Sequence, residues 1–239
     1  MKEREIAVGV DKQPYFESVD TDPSVESDDG TREMGALHPF LICGGENTER
    51  YYFMHINDKT NYKFNIRPKY FGDESNYTKA FPNRIKEVLR LNNDARIFCV
   101  FDWDTIYGNE TKLNKHQEFE AQFKNEISNG VVTICQSMPS IEYWFLLHFV
   151  DYTGLLKNYG EVASKLAPHL KPYFPNPEIQ LKKLLKSAKH LQDSTWVEKL
   201  CANGKLTLAI ERAENNINNA IAAGKLKEQS YSYIYKVFK

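Results

Sequence analysis

Two aspartates that flank one tryptophan, Asp102 and Asp104, are the clearest chemical signal in the sequence. They end the apolar run ARIFCVF at 95–101, which is typical of a strand buried on both faces. Because successive strand residues point to opposite faces, the two carboxylates share one face and Trp103 takes the other. Neighbouring carboxylates repel unless a cation lies between them, and hard oxygen ligands suit Mg²⁺ or Mn²⁺. A solvated turn is the simpler alternative for an isolated DxD.

Three further acids follow other predicted strands. Glu46 and Glu49 lie in the first turn of the helix after the first strand, and Glu142 opens the helix after the fourth. The helix dipole alone explains acids in a first turn. Ligands of open parallel sheets, however, bind outside the carboxyl ends of the strands, where all these acids fall. We therefore predict a divalent metal site at this edge. Its predicted metal-binding residues are Glu49, Asp102, Asp104 and Glu142, with Glu46 as an auxiliary; a catalytic role for them is implied only by the family resemblance described next.

Three motifs, in this order along the chain, resemble those of the RloB family. They are Gly44-Gly45-Glu46-Asn47-Thr48-Glu49, then Phe101-Asp102-Trp103-Asp104, then SMPSIEYWFLLHF from Ser137 to Phe149. The resemblance is specific over residues 37–150 and fainter beyond them. RloB proteins are bacterial, are encoded beside restriction–modification genes, and have a core similar to the Toprim fold of topoisomerases, primases and OLD-family nucleases.

The resemblance implies an α/β fold with a Toprim-like, Rossmannoid core, a four-stranded and mainly parallel sheet, and a C-terminal helical region. It also implies metal-assisted cleavage of phosphodiesters in RNA or DNA, with Mg²⁺ (or Mn²⁺) as the cofactor, in defence against phage. Other defence-system proteins are further expected partners.

Gly44 departs from the Toprim pattern, in which a glutamate that serves metal binding ends the first strand. Either Glu46 or Glu49 takes over that role, or the chain is a degenerate module that binds nucleic acid or a partner protein without cleavage. In the second case Gly44→Glu should create or raise cleavage by restoring a carboxylate. A nucleotide site at the Gly44-Gly45 turn is a weak third alternative, because neither GxGxxG nor GxxxxGK[ST] is present.

Two polar residues of the third motif need a separate interpretation. Ser137 is an auxiliary candidate that could touch a bound phosphate, although turn chemistry before Pro139 explains it equally well. His148 lies in an apolar helix and is predicted to be structural.

Lysines recur along the segment LKKLLKSAKHL at 181–191, which is predicted to be one amphipathic helix. Such a stripe can neutralise nucleic-acid phosphates, and a solvated helix face is the competing interpretation. The predicted nucleic-acid-binding residues are Lys182, Lys183, Lys186 and Lys189. The closing segment SYSYIYKVF is predicted to be a packed terminal element that could otherwise stack bases.

Alternating strands and helices must position these residues. We predict parallel strands at about 37–43, 63–69, 95–101 and 131–136, with helices at 76–91, 114–128 and 140–149. Only helices are predicted after Asp151. The predicted domains are a flexible acidic arm at 1–36, a Toprim-like core at 37–150 and a helical region at 151–239.

Charge divides along the chain in the same way. Residues 151–239 carry 14 Lys and Arg against 8 Asp and Glu, whereas the first 150 carry 17 against 24. An acidic half beside a basic half fits a metal site next to a phosphate-binding surface, and it fits equally well two faces that attract each other.

Composition is ordinary for a globular protein, with 41% hydrophobic and 26% charged residues. The N-terminus lacks an apolar signal core and no stretch is long enough to span a bilayer, so we expect a cytoplasmic protein without a membrane partner. The cysteines show no CxxC pair or zinc spacing, and we predict free thiols. They are Cys43, Cys99, Cys135 and Cys201.

Overall fold

A five-stranded sheet organises the part of the chain that the computed structural model describes, residues 38–45, 47–67, 77–92 and 94–239. The strands are β1 (Phe40–Cys43), β2 (Asn65–Arg67), β3 (Ile97–Asp102), β4 (Val132–Met138) and β5 (Tyr231–Ser232). Their order is β2-β1-β3-β4-β5; the first four are parallel, and β5 is antiparallel to β4. The α/β class and the four predicted parallel strands are confirmed. The predicted arm at 1–36 lies outside the described residues.

Helices connect the strands and cover both faces of the sheet. In the first half they are α1 (Thr48–Lys59), α2 (Tyr77–Leu91), α3 (Glu110–Gln122), α4 (Lys124–Ser128) and α5 (Ile141–Leu147). In the second half they are α6 (Tyr159–Leu170), α7 (Leu181–Lys186), α8 (Ala188–Leu191), α9 (Thr195–Cys201) and α10 (Lys205–Ala222). Short 3₁₀ turns cover Lys171–Tyr173, Leu226–Glu228 and Tyr233–Phe238.

Alternation along the strands divides the apolar side chains between two cores. Phe40 and Ile42 of β1 pack in the core that contains α2 and α3, whereas Leu41 and Cys43 pack in the core that contains α1 and α5. The same alternation along β3 puts Asp102 on the α1 and α5 side, because a strand repeats every two residues. The strand pattern thus determines which helices can meet the first aspartate.

The C-terminal region packs on that same side and shares its core. Phe238 stacks on Trp144 of α5, with ring centroids 5.7 Å apart, and on Phe53 of α1 at 6.3 Å. Trp196 of α9 contacts Phe145 of α5 edge to face at 5.6 Å. Residues 38–239 accordingly form one compact unit.

Two predictions about the C-terminal region were wrong. A strand, β5, does occur after Asp151. The segment 181–191 forms two helices rather than one, because Ser187 is extended with φ −114° and ψ 118°. The carbonyls of Leu185 and Lys186, which a continuous helix would use, instead accept hydrogen bonds from side chains of α1 and its N-cap. Hydrogen bonds to distant side chains thus replace the hydrogen bonds that a continuous helix would form within itself.

The predicted helix at 114–128 is also divided, into α3 and α4, which meet at Phe123. Within the described ranges no helix is long and apolar enough to cross a membrane. All four cysteines have free thiols, as predicted.

Candidate metal centre

The first aspartate is fixed where β3 ends and α5 begins. One carboxylate oxygen of Asp102 accepts a hydrogen bond from the backbone N–H of Ile141 at 2.8 Å. The next two residues are held against the end of β4, since Trp103 N–H donates to Ser137 O at 2.8 Å and Asp104 N–H donates to Pro139 O at 3.0 Å. The DxD turn is therefore fastened to the loop that carries Glu142.

The two glutamates approach from the first turns of two different helices. Glu49 of α1 is 6% exposed and Glu142 of α5 is 2% exposed, whereas Asp102 and Asp104 remain partly exposed. Ser140 donates a hydrogen bond to Glu142 Oε2 at 2.5 Å. Together, Glu49, Asp102, Asp104 and Glu142 form what we call the carboxylate cluster. It is closed on the glutamate side and open to solvent on the aspartate side.

Burial raises the pKa of every member of the carboxylate cluster, and neighbouring carboxylates add to the rise at Asp102, Glu49 and Glu142. Burial raises the pKa of Asp102 most, and the charges of Glu49, Glu142 and Asp104 add to it. The pKa of Glu49 rises from 4.5 to about 7 through burial and the neighbouring charge of Glu142. Burial also raises the pKa of Asp104 and of Glu142. Such shifts disfavour the charged forms, and a bound cation would favour them.

A lysine from the C-terminal region lies beside the carboxylate cluster. The positive charge of Lys186 opposes the burial-driven rise in pKa at three carboxyls, those of Glu49, Asp104 and Glu142. Among the described residues, no carboxylate lies within ion-pair distance of its ammonium group. The charge of Lys186 therefore favours the ionised form of these carboxyls, although its ammonium group forms no direct ion pair with them.

The position of Lys186 depends on the first motif. Thr48 Oγ1 donates to Leu185 O at 2.6 Å, and Asn47 Nδ2 donates to Lys186 O at 3.2 Å. Two turns of helix further on, His55 Nε2 is 2.7 Å from Leu191 O. Polar residues of α1 and its N-cap thus hold the lysine segment next to Glu49.

The donor chemistry of the carboxylate cluster fits a hard divalent cation, because all its ligand atoms are carboxylate oxygens. Over the described ranges, no group of three or more His, Cys, Asp or Glu side chains is arranged to hold a metal ion. Mg²⁺ is commonly bound through only one or two carboxylates, with water and substrate phosphate completing its shell. The protein could therefore supply two such ligands, whereas the four-residue set stays a prediction. Glu46 lies outside the described residues.

The two glycines after β1 have different surroundings. A Cβ on Gly44 would lie 3.1 Å from Phe101 Cβ, on the side of the sheet opposite to Asp102. A Cβ on Gly45 would instead collide with the Glu49 carboxylate. Glu49 therefore occupies the space beside the turn. A side chain introduced at Gly44 would require Phe101 to shift by a few tenths of an ångström.

The other residues singled out in the sequence have the following surroundings. Ser137, the register partner of Asp102, is buried, and its hydroxyl lies 2.7 Å from that of Ser232 on β5. His148 is buried, its Nδ1 is 2.9 Å from Leu200 O, its Nε2 has no hydrogen-bond partner among the described residues, and burial lowers its pKa to about 3. The lysines predicted to contact nucleic acid are all exposed. They are Lys182, Lys183, Lys186 and Lys189.

Three residues near the carboxylate cluster were missed from the sequence. Lys112 of α3 lies close enough to Asp104 to oppose the burial-driven rise in its pKa. Ser140 supports Glu142, and the hydroxyl of Tyr159 lies near the same carboxylate. Ser140 could have been found as a polar residue just before a helix. The other two come from distant segments and have no local signature.

A comparison with known protein families shows which family the chain belongs to. Residues 40–239 match the family model described as RloB-like protein, so every member of the carboxylate cluster falls inside the match. The chain belongs to the RloB-like protein family. No curated protein and no solved structure matches the chain.

The raised pKa of Glu49 predicts that the folding stability of the RloB-like protein depends on pH when no divalent cation is bound. Between about pH 4.5 and 7 the unfolded state releases this proton before the folded state does, so stability falls as pH rises. A pKa moved from 4.5 to about 7 corresponds to roughly 3 kcal/mol above pH 7. Glu49→Gln should remove this loss and be more stable than wild type at pH 8 but not at pH 4.5, measured by denaturant unfolding with chelator. The exposed Glu118→Gln is the control, and a pH-independent difference between Glu49→Gln and wild type would contradict the prediction.

A second prediction tests the space beside the turn. Gly45→Ala should fold but push the Glu49 carboxylate towards solvent, because the new methyl group takes its place. The variant should then show a weaker fall in stability between pH 4.5 and 7 than wild type, measured by the same unfolding titration. Gly44→Ala is the matched control, since its methyl group would meet Phe101 instead. Equal pH profiles for Gly45→Ala and wild type would show that Glu49 does not depend on this glycine.

Proposed function

We propose that this RloB-like protein is a metal-dependent nuclease-like enzyme that cleaves phosphodiesters of RNA or DNA at the carboxylate cluster. The observation that carries the proposal is the convergence of four carboxyls from three strand ends, each with a raised pKa. Such an arrangement is costly for folding, which makes a purely structural role a poor explanation. A Toprim-like relationship and a role in bacterial anti-phage defence, which the resemblance implies, belong to the same proposal.

Each member of the carboxylate cluster has a role that follows from its position. The partly exposed Asp102 and Asp104 would hold Mg²⁺ or Mn²⁺, and Asp102 is oriented for this by the Ile141 N–H. The buried Glu49 and Glu142 would add negative charge beside the cation and orient water molecules in its coordination shell. A divalent cation, when bound, supplies positive charge that stabilises the charge developing on the phosphate.

The open side of the cluster is the side from which a nucleic-acid backbone can approach. Lys186 stands beside the cluster with its ammonium unpaired among the described residues, so it can contact a phosphate oxygen. The exposed Lys182, Lys183 and Lys189 lie on the same short segment and can neutralise neighbouring phosphates. Binding should therefore weaken steeply as salt rises.

A second candidate is a non-catalytic module that binds nucleic acid or a partner protein through the same surface. The observation in its favour is Gly44, which offers no carboxylate and whose missing side chain would meet Phe101. In that case the carboxylate cluster would bind a cation for structure or for phosphate contact without cleavage.

The experiment that separates the two candidates is a cleavage assay with a panel of single- and double-stranded RNA and DNA. Purified wild type should cut at least one substrate with Mg²⁺ or Mn²⁺ and none with chelator. Asp102→Asn and Glu49→Gln should each lower the rate by about 100-fold or more, because an amide keeps the shape but loses the charge that holds the cation. Salt-sensitive binding of the cleaved substrate should persist in both variants.

Glu118→Gln on the exposed face of α3 provides a matched carboxylate control and should cut like wild type. Metal-independent cutting, or cutting that survives Asp102→Asn, would place the chemistry elsewhere. Binding without cleavage across the whole panel would favour the non-catalytic module.

A further inference from the structure

The turn that follows the two aspartates presents an aromatic ring to solvent. Tyr107 is 69% exposed, which makes it the most exposed large apolar side chain in the described part of the chain, ahead of Leu91 at 58%. Among the described residues, none makes a ring contact or a side-chain hydrogen bond with it. The ring of Tyr107 is therefore accessible to a partner.

Backbone hydrogen bonds fix Tyr107 next to the carboxylate cluster. The carbonyl of Trp103, the residue between the two aspartates, accepts from Ile106 N–H at 2.9 Å and from Tyr107 N–H at 2.8 Å. Asp104 and Tyr107 are three residues apart, so their Cα atoms lie within about 11 Å of each other even in an extended chain, and the turn brings them closer. Tyr107 is thus held beside the second aspartate by the chain itself.

The residues on both sides of Tyr107 anchor this turn. Ile106 is fully buried in the core that contains α2 and α3. Gly108 has φ +76°, a left-handed conformation that glycine adopts without strain. The next residue, Asn109, caps α3, because its side chain accepts from Lys112 N–H at 3.0 Å. The exposed ring therefore stands between a buried anchor and a capped helix.

Exposed lysines accompany this ring at the open side of the cluster. Lys112 lies in the first turn of α3, and Lys186 lies at the end of α7; the charges of both favour the ionised form of Asp104. Among the described residues, neither ammonium group has a carboxylate within ion-pair distance. Free cations beside an exposed aromatic ring are typical of surfaces that bind single-stranded nucleic acid, because the cations neutralise phosphates while the ring stacks on a base.

A paired duplex cannot use this ring in the same way. Inside a duplex the neighbouring base pairs cover both faces of every base, so an aromatic side chain can stack only on a base that is unpaired or at an end. The span from Asp104 to Tyr107 corresponds to at most about three nucleotides at roughly 3.4 Å each. A base stacked on Tyr107 would therefore belong to the same stretch of strand as the phosphate at the cluster.

We propose that Tyr107 stacks on an unpaired base of the substrate strand, next to the phosphate that occupies the carboxylate cluster. The RloB-like protein then acts on single-stranded segments of RNA or DNA, and Lys112 contacts the backbone of the same segment. This inference rests on the proposed function and narrows its substrate class.

Binding measured in chelator by fluorescence anisotropy tests the contact without requiring cleavage. With labelled RNA and DNA of about ten nucleotides, wild type should bind the single strand at least about tenfold more tightly than the same sequence as a duplex. Tyr107→Ala should weaken single-strand binding by about tenfold and leave duplex binding unchanged, whereas Tyr107→Phe should bind like wild type because it keeps the ring. Lys112→Gln should weaken binding of both forms alike, since it contacts phosphate only.

Leu91→Ala is the matched control. Leu91 is comparably exposed, but it ends α2 and leads towards the start of β3, at the opposite edge of the sheet from the cluster. This variant should bind both forms like wild type, and all variants should keep the wild-type melting temperature, because the substituted side chains are exposed.

Cleavage provides a second measurement wherever wild type cuts. The cut should fall within about three nucleotides of an unpaired base, and Tyr107→Ala should raise KM about tenfold with little change in kcat, as for lost binding. If wild type prefers single strands through Tyr107 but cuts nothing, the proposed nuclease function fails and the stacking contact stands. Equal binding of single strand and duplex by wild type, or wild-type binding by Tyr107→Ala, would overturn the contact. Absence of binding to every oligonucleotide would overturn both.

Discussion

Four carboxyl groups gathered at one edge of a parallel sheet impose the constraint on which the rest of this structure depends. Burial raises the pKa of each, and neighbouring charge adds to the rise at Asp102 and Glu49. The fold offsets the cost with an N–H from Ile141, a hydroxyl from Ser140 and the charge of Lys186. These compensations come from two segments that are distant in sequence, residues 140–141 and the segment of Lys186, which the fold brings together at the site. A bound cation would offset the repulsion that remains between the carboxylates.

The C-terminal region completes the site. Side chains of the first motif, Thr48 and Asn47, bind the carbonyls of Leu185 and Lys186 and thereby end α7 beside Glu49. Lys186, from the basic half of the chain, is thereby held where its charge favours the ionised carboxyls of the acidic half, and in the proposed function it also contacts the substrate. The two interpretations of the charge division are compatible, because the same lysine can serve both.

Much of the core could be predicted because its signals are local. Apolar runs identified β1, β3 and β4, an alternating pattern identified β2, and strict alternation placed Asp102 on one face. The two-residue strand β5 gives no such signal, since Tyr231 and Ser232 pair with β4 only through the tertiary fold. The break at Ser187 was missed because it depends on hydrogen bonds from residues more than 130 positions away.

The central claim, that the carboxylate cluster exchanges protons for a divalent cation, can be measured directly by titration calorimetry with Mn²⁺ in buffers of different ionisation enthalpy. Binding near pH 6.5 should release protons, and the release should shrink towards pH 8, because Glu49 with a pKa of about 7 is by then largely ionised. Asp102→Asn should bind Mn²⁺ far more weakly. Wild-type binding without proton release, or equal binding by wild type and Asp102→Asn, would contradict the account.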